Sequence, residues 1–269
     1  MGRGYWRFES EREKSLMKIG IVAAMADEAG ILVGKSIQAG ELSYLPEGGM
    51  IFLSGIGAKR ARSAALALIE KGATSLVSWG VAGGLSAEVS AGTLILPERV
   101  IAVDRSIYYV DPVWHKRLCS RLETHIEIHR GPLAESVSVV ADCTGKIVLS
   151  QQAGAIAVDM ESASIALAAK EASVPFMVIR AITDGVEMAI PRCTINSKDK
   201  FGRIRLLRLL LSLIRRPAEA ATFFRLGRNF QAARATLTTV VRKAGSNMLC
   251  PERIDSPFSN KINRHYGFK

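Results

Sequence analysis

Aromatic residues are scarce in this sequence, at 6% of 269 positions, and there are only four cysteines. Cys119, Cys143, Cys193 and Cys250 stand far apart with no Cys-x-x-Cys pair. That spacing suggests neither a zinc site nor a disulfide framework, so no metal is expected and a reducing cytoplasm is the compartment that fits. Also lacking is any run of about 18 uncharged apolar residues, the length a membrane-spanning helix needs. The opening MGRGYWRFESEREKSLMK carries charges but no apolar core, so it does not read as a signal peptide. Residues 1–16 are expected to be an extension ahead of the first strand. Acidic residues are outnumbered, 25 against 36 basic, for a net charge of +11.

The basic excess is localised. Between Lys198 and Lys243 there are twelve Lys and Arg residues and only two acids, Asp199 and Glu219. Such a segment attracts nucleic acid, anionic lipid or an acidic partner, or it forms a solvated helical face. The scarcity of aromatics and the lack of a stacking motif or zinc knuckle argue against nucleic acid, and no nucleic-acid partner is expected. A basic, non-catalytic nucleic-acid-binding protein remains the alternative of a different class.

At 48% hydrophobic the chain can bury a substantial core. Apolar runs at 18–24, 50–54, 75–79, 93–96, 155–158 and 176–182 read as strands, several without polar alternation and so buried on both faces. Helical patterns fall at about 58–71, 113–123, 144–152 and 161–172. The fold class is α/β, a single three-layer domain over 17–200 with a central mixed β-sheet flanked by helices. After it come a basic Leu/Arg-rich helical segment over 201–243, broken at Pro217, and a loose tail over 244–269.

Four segments stand at the carboxyl ends of expected strands, where α/β sheets place their ligands. In GIVAAMADEAGIL (20–32), Glu28 is either a general base or an acid at a helix start. In LSGIGAKRARSAALAL (53–68), Ser54, Gly55 and Gly57 turn into a helix whose N–H groups are candidates for holding an anion such as phosphate. The following SWGVAGGL supplies Gly80, Val81, Ala82 and Gly83, where backbone can pass close to a flat or sugar-like ligand. In AVDMESASIALAAK (157–170), Met160 and Glu161 reach the sheet's edge. In VIRAITDG (178–185), Arg180 interrupts an apolar strand and needs a partner, and Asp184 ends that strand.

In this order the motifs IGIVAAMADE, SGIGAKRARSAALAL, GVAGGL, AVDMESASIA and PFMVIRAITD resemble the nucleoside phosphorylase and methylthioadenosine/S-adenosylhomocysteine nucleosidase superfamily. SAGTLILPERVIAVD, YVDPVWHKRL and LLRLLLSLIRRP are similar to one branch, the hopanoid-associated phosphorylases. The resemblance implies a nucleoside phosphorylase-like fold and release of adenine from adenosylhopane, leaving a ribosyl or phosphoribosyl hopane. It implies no cofactor, with inorganic phosphate as a possible co-substrate; phosphorolysis is favoured slightly over hydrolysis. Asp184 matches the family's purine-protonating acid and Glu161 the acid holding the ribose hydroxyls. Met160 matches the residue packed beside the sugar, and Glu28 the carboxylate that activates water. Arg180 is assigned to orient the nucleophile and balance Glu161, with Asp159 a solvated or capping neighbour. Val81 departs from the small polar residue common in the nucleosidases. The base contacts are expected within 139–146, with Asp142 a turn residue.

The resemblance further implies a homo-oligomer. A lipid-linked adenine nucleoside would bring the enzyme to the inner face of the membrane, and residues 203–230 are the candidate peripheral contact; packing of their leucines on the core is the competing reading. A soluble methylthioadenosine/S-adenosylhomocysteine nucleosidase is the alternative function.

Overall fold

The computed structural model describes residues 18–35, 37–45, 48–190, 219–245 and 248. The expected N-terminal extension, the Leu/Arg-rich stretch before Pro217 and most of the expected tail lie outside the described residues.

The described residues build one eleven-stranded mixed sheet. The six expected strands are present as β1 (Ile19–Ala23), β3 (Met50–Leu53), β4 (Ser75–Gly84), β5 (Leu94–Ile95), β10 (Ala157–Asp159) and β11 (Phe176–Asp184). Five others have only two or three residues: β2 (Leu42–Tyr44), β6 (Arg99–Ile101), β7 (Ile107–Tyr109), β8 (Ile128–His129) and β9 (Leu133–Glu135). They are too short to show a two-residue period, so the sequence does not announce them. Among the described residues the helices are α1 (Ala26–Val33), α2 (Ala58–Glu70), α3 (Pro112–Leu122), α4 (Cys143–Ala153), α5 (Ser162–Glu171) and α6 (Glu219–Ala244).

β4 organises the sheet. On one side it pairs in parallel with β11 along most of its length. On the other, Ser75–Trp79 pair in parallel with β1, whereas Gly83 and Gly84 pair antiparallel with β10. Between these two partners, residues 80–82 face the end of β1 and the start of α1. This change of partner falls near the carboxyl end of β1, the kind of place where α/β sheets bind ligands.

Helices cover the sheet in two groups. α2 and α5 pack together and over β1, β3 and β4; α6 lies along β11 with α1 and α3 against it. The buried residues of these two helices are mostly alanine, Ala61, Ala64 and Ala65 in α2 and Ala163, Ala166, Ala168 and Ala169 in α5, small side chains that suit close packing. α6 buries Ala233, Leu237, Val240 and Ala244, a stripe at helical spacing. That part of the basic segment therefore packs on the core through its apolar face, while Phe224, Arg225 and Arg228 are exposed. Met248, placed in the expected tail, is fully buried, and its carbonyl accepts a 2.7 Å hydrogen bond from Trp114 Nε1 of α3. The end of α6 is thereby fastened to the domain.

Candidate active site

Glu28 stands in the first turn of α1, and its carboxylate does two things. Oε2 accepts from the N–H groups of Ala24 (3.1 Å) and Met25 (2.9 Å), capping the helix. Oε1 accepts from Val81 N–H on β4 at 2.9 Å, where β4 has left β1. The capping and site readings of Glu28 are thus both realised, one by each oxygen. Trp79 Nε1 donates to the Glu28 carbonyl at 3.0 Å and fixes α1 to β4. Burial pushes the Glu28 carboxyl above its ordinary range, opposed by Arg180 and by the three backbone N–H groups.

Gly80 makes this arrangement possible. A Cβ at that position would lie 2.4 Å from Glu28 Oε1 and 2.5 Å from Arg180 Nη1, so only glycine lets both side chains meet over the strand.

Arg180 is almost fully buried in the middle of β11. Its direct ion-pair partner is Asp159 at 2.8 Å, which corrects the expectation of a solvated Asp159, while its charge also acts on Glu161, as expected. Asp159 is buried; it caps α5 by accepting from Ser162 N–H at 3.2 Å and takes the Ser162 hydroxyl as well. Arg180 Nη2 also donates to Ser78 Oγ (2.7 Å) and Ser162 Oγ (3.2 Å). Ser78 is a polar residue inside an apolar strand, and that is the signal by which it could have been found. The reason for the correction is geometric. The short turn from β10 into α5 sends Asp159 inward toward β11, while Glu161, two residues on, reaches toward α2.

Glu161 Oε1 accepts from Gly57 N–H at 2.8 Å, and Oε2 from Met160 N–H at 3.3 Å. Gly57 holds φ at +106°, a conformation suited to glycine, and points its N–H out of the start of α2. The candidate anion loop is therefore occupied by a carboxylate of the chain itself. Ser54 Oγ is also engaged, donating to the carbonyls of Gly55 (2.8 Å) and Ala23 (3.2 Å). Burial, then the Asp159 charge, pushes Glu161 up to about 7, with Arg180 pulling the other way. Met160 is half-buried beside it.

Asp184 lies across β4 from this group, beside Gly83, where an added Cβ would meet its Oδ2 at 3.3 Å. Thr183 donates to its Oδ1 at 2.7 Å. Its Oδ2 accepts from Lys146 Nζ of α4 at 2.5 Å. Lys146 is fully buried, and the sequence gives no sign of this beyond a lone Lys in the first turn of a helix. Asp142 caps that helix, accepting from Gly145 N–H at 2.8 Å, rather than forming an isolated turn.

Glu28 and Arg180 thus meet over Gly80, Glu161 stands within electrostatic reach of both, and Asp184 stands beside Gly83. Among the described residues, no group of three or more His, Cys, Asp and Glu is placed to hold a metal ion. The sequence pattern described as the phosphorylase superfamily matches residues 18–210. A 5'-methylthioadenosine/S-adenosylhomocysteine nucleosidase of Oceanobacillus iheyensis is 27% identical over 197 residues, covering 62% of this chain and 86% of the relative. One from Maridesulfovibrio salexigens is 29% identical over 202 residues, covering 63% and 87%. Among solved structures, the 5'-methylthioadenosine/S-adenosylhomocysteine nucleosidase from Helicobacter pylori with butyl-thio-DADMe-Immucillin-A aligns with a TM-score of 0.62 at 18% identity, covering 84% of this chain and 98% of the other. Futalosine hydrolase of Helicobacter pylori aligns with a TM-score of 0.61 at 19% identity, covering 84% and 97%.

Proposed function

We propose that this chain, which belongs to the phosphorylase superfamily, cleaves the N-glycosidic bond of an adenine nucleoside with water as the nucleophile. The observation that carries this reading is Glu28. Its carboxyl is buried, raised in proton affinity and held by three N–H groups beside Arg180. Such a carboxylate can take a proton from water as the oxygen attacks C1′ of the ribose. The C1′–N9 bond breaks with its electron pair moving to the purine, which takes up a proton on the Asp184 side. Glu161, at the mouth of α2, is placed to accept hydrogen bonds from ribose hydroxyls, and Met160 to pack beside the sugar.

Water is favoured over phosphate by electrostatics. Glu28, Asp159 and Glu161 surround a single guanidinium, and the Gly57 N–H that would cradle an anion is given to Glu161. A phosphate dianion there meets net negative charge.

For the substrate, we favour a lipid-linked adenosine such as adenosylhopane. The loop and helix that carry Lys146 expose Val137, Val139, Ile147 and Val148, an apolar rim suited to a bulky apolar 5′ group. A second reading, a small thioadenosine as substrate, is favoured by the names of the relatives.

The test is adenine release, followed by chromatography, from adenosylhopane in detergent and from methylthioadenosine, each with and without phosphate. Release that is independent of phosphate and falls about 10²–10⁴-fold in Glu28→Gln is the expected result. A strict phosphate requirement sinks the hydrolytic assignment. Cleavage of methylthioadenosine alone sinks the lipid one.

A further inference from the structure

We propose that Lys146 supplies, through Asp184, the proton that the leaving purine takes, so that the acid of this site is a lysine–carboxylate pair rather than a lone carboxyl. The proposal rests on the reading of the chain as a purine nucleoside hydrolase.

Lys146 is fully buried, a position an ammonium ion holds only with good partners. Its Nζ has three acceptors: Asp184 Oδ2 at 2.5 Å, the Gly185 carbonyl at 2.8 Å and the Met188 carbonyl at 2.9 Å. Three acceptors match the three N–H bonds of the charged form. An ammonium this close favours the ionised carboxylate, and an ionised carboxylate has no proton to give. The transferable proton of the pair therefore rests on nitrogen, one short hydrogen bond from the group that faces the base. Among the described residues, the remaining ionisable groups of the site are Glu28 from α1, Asp159 and Glu161 from the turn between β10 and α5, and Arg180 from β11. These serve the nucleophile and the sugar. Gly83 and Thr183, which flank the Asp184 carboxyl, are uncharged.

The step balances. As the C1′–N9 electron pair moves to the purine, a proton passes from Lys146 Nζ to Asp184 Oδ2, and the Asp184 carboxyl delivers a proton to a purine nitrogen. Lys146 is left as the neutral amine and Asp184 as the carboxylate. The proton that the attacking water gives up through Glu28 to solvent equals the one that recharges Lys146. Lys146 acts through Asp184 and is in that sense a positioning residue.

The experiment compares the whole chain with Lys146→Met and Lys146→Arg, measuring kcat/KM against pH. Two substrates are used: an adenine nucleoside that the wild type cleaves, and a nitrophenyl riboside whose leaving group needs no proton. Lys146→Met is expected to slow adenine release by about 100-fold or more. Its alkaline limb should move to lower pH, because the carboxyl alone then holds the proton, while nitrophenol release changes little. Lys146→Arg keeps the charge but not a transferable proton, so it should not restore adenine release while still cleaving the nitrophenyl riboside; it decides the matter even where Lys146→Met does not fold. Arg restoring wild-type rates and limb, or both substrates slowing in parallel with the limb unmoved, overturns the proposal and leaves the hydrolase reading standing. A wild-type chain that releases adenine from no nucleoside overturns the hydrolase reading itself.

Discussion

Asp159 and Glu161 differ by one methylene and stand two positions apart, yet their partners differ. Asp159 has the Arg180 guanidinium at 2.8 Å. Glu161 accepts from backbone N–H groups at 2.8 and 3.3 Å, and burial, then the Asp159 charge, pushes it up to about 7. Glu135, at the end of β9, is likewise pushed up to about 7, by burial first and then by the Asp159 charge, against the hydrogen bond it accepts from Ser164 N–H at 3.0 Å. Both glutamates bind a proton more tightly in the folded chain than at the ordinary value of 4.5. Between these values the folded state holds more protons than the unfolded state, so their contribution to stability falls as pH rises from about 4.5 to about 7 and then levels. Urea unfolding should therefore give a lower midpoint at pH 8 than at pH 5.5, and Glu135→Gln should flatten the difference. A midpoint difference that is unchanged in Glu135→Gln would show that Glu135 does not titrate in this window.

α6 illustrates how a helix rich in arginine can still be a core element. Its buried stripe, Ala233, Leu237, Val240 and Ala244, lies along β11, and Thr236 Oγ1 ties it to the Gly92 carbonyl at 2.6 Å. Leu237→Ala removes a side chain with no exposed surface and should cost about 2–5 kcal/mol, read as a lowered urea midpoint. A loss below about 1 kcal/mol would mean that the helix is only loosely held. The long elements are legible in the sequence because a strand such as β11 is a nine-residue buried run and α2 has helical periodicity. Glu28, Glu161, Arg180 and Asp184 are legible for a related reason, since each interrupts or ends an apolar run beside small residues. Lys146 and the burial of Asp159 are not. What makes them part of the site is pairing across 38 and 21 residues of chain, which no local pattern encodes. The short strands β6 to β9 escape as well, because backbone pairing rather than side-chain period defines them.

Over the whole molecule, charge and apolar surface are unevenly placed. The +11 net charge is weighted toward the C-terminal part, and Phe224, Arg225 and Arg228 are exposed at the start of α6. No described helix is long and apolar enough to cross a membrane. Each basic residue near an anionic bilayer adds about 1 kcal/mol, screened by salt. Cosedimentation with phosphatidylserine vesicles at low ionic strength, released by added salt, is the expected outcome for an enzyme of lipid-linked adenosine. Absence of binding would return the arginines to a solvated role. In the proposed reaction the two halves of the site meet on one strand: Val81 N–H holds Glu28, the proposed base for water, and Gly83 flanks Asp184, the proposed acid for the purine. Two residues of extended chain span about 7 Å. β4 is thus a fixed gauge whose graduation is the peptide repeat. A nucleoside with a bulkier 5′ group can be admitted by trimming the rim. Changing the bond that is cut would require a strand of another length.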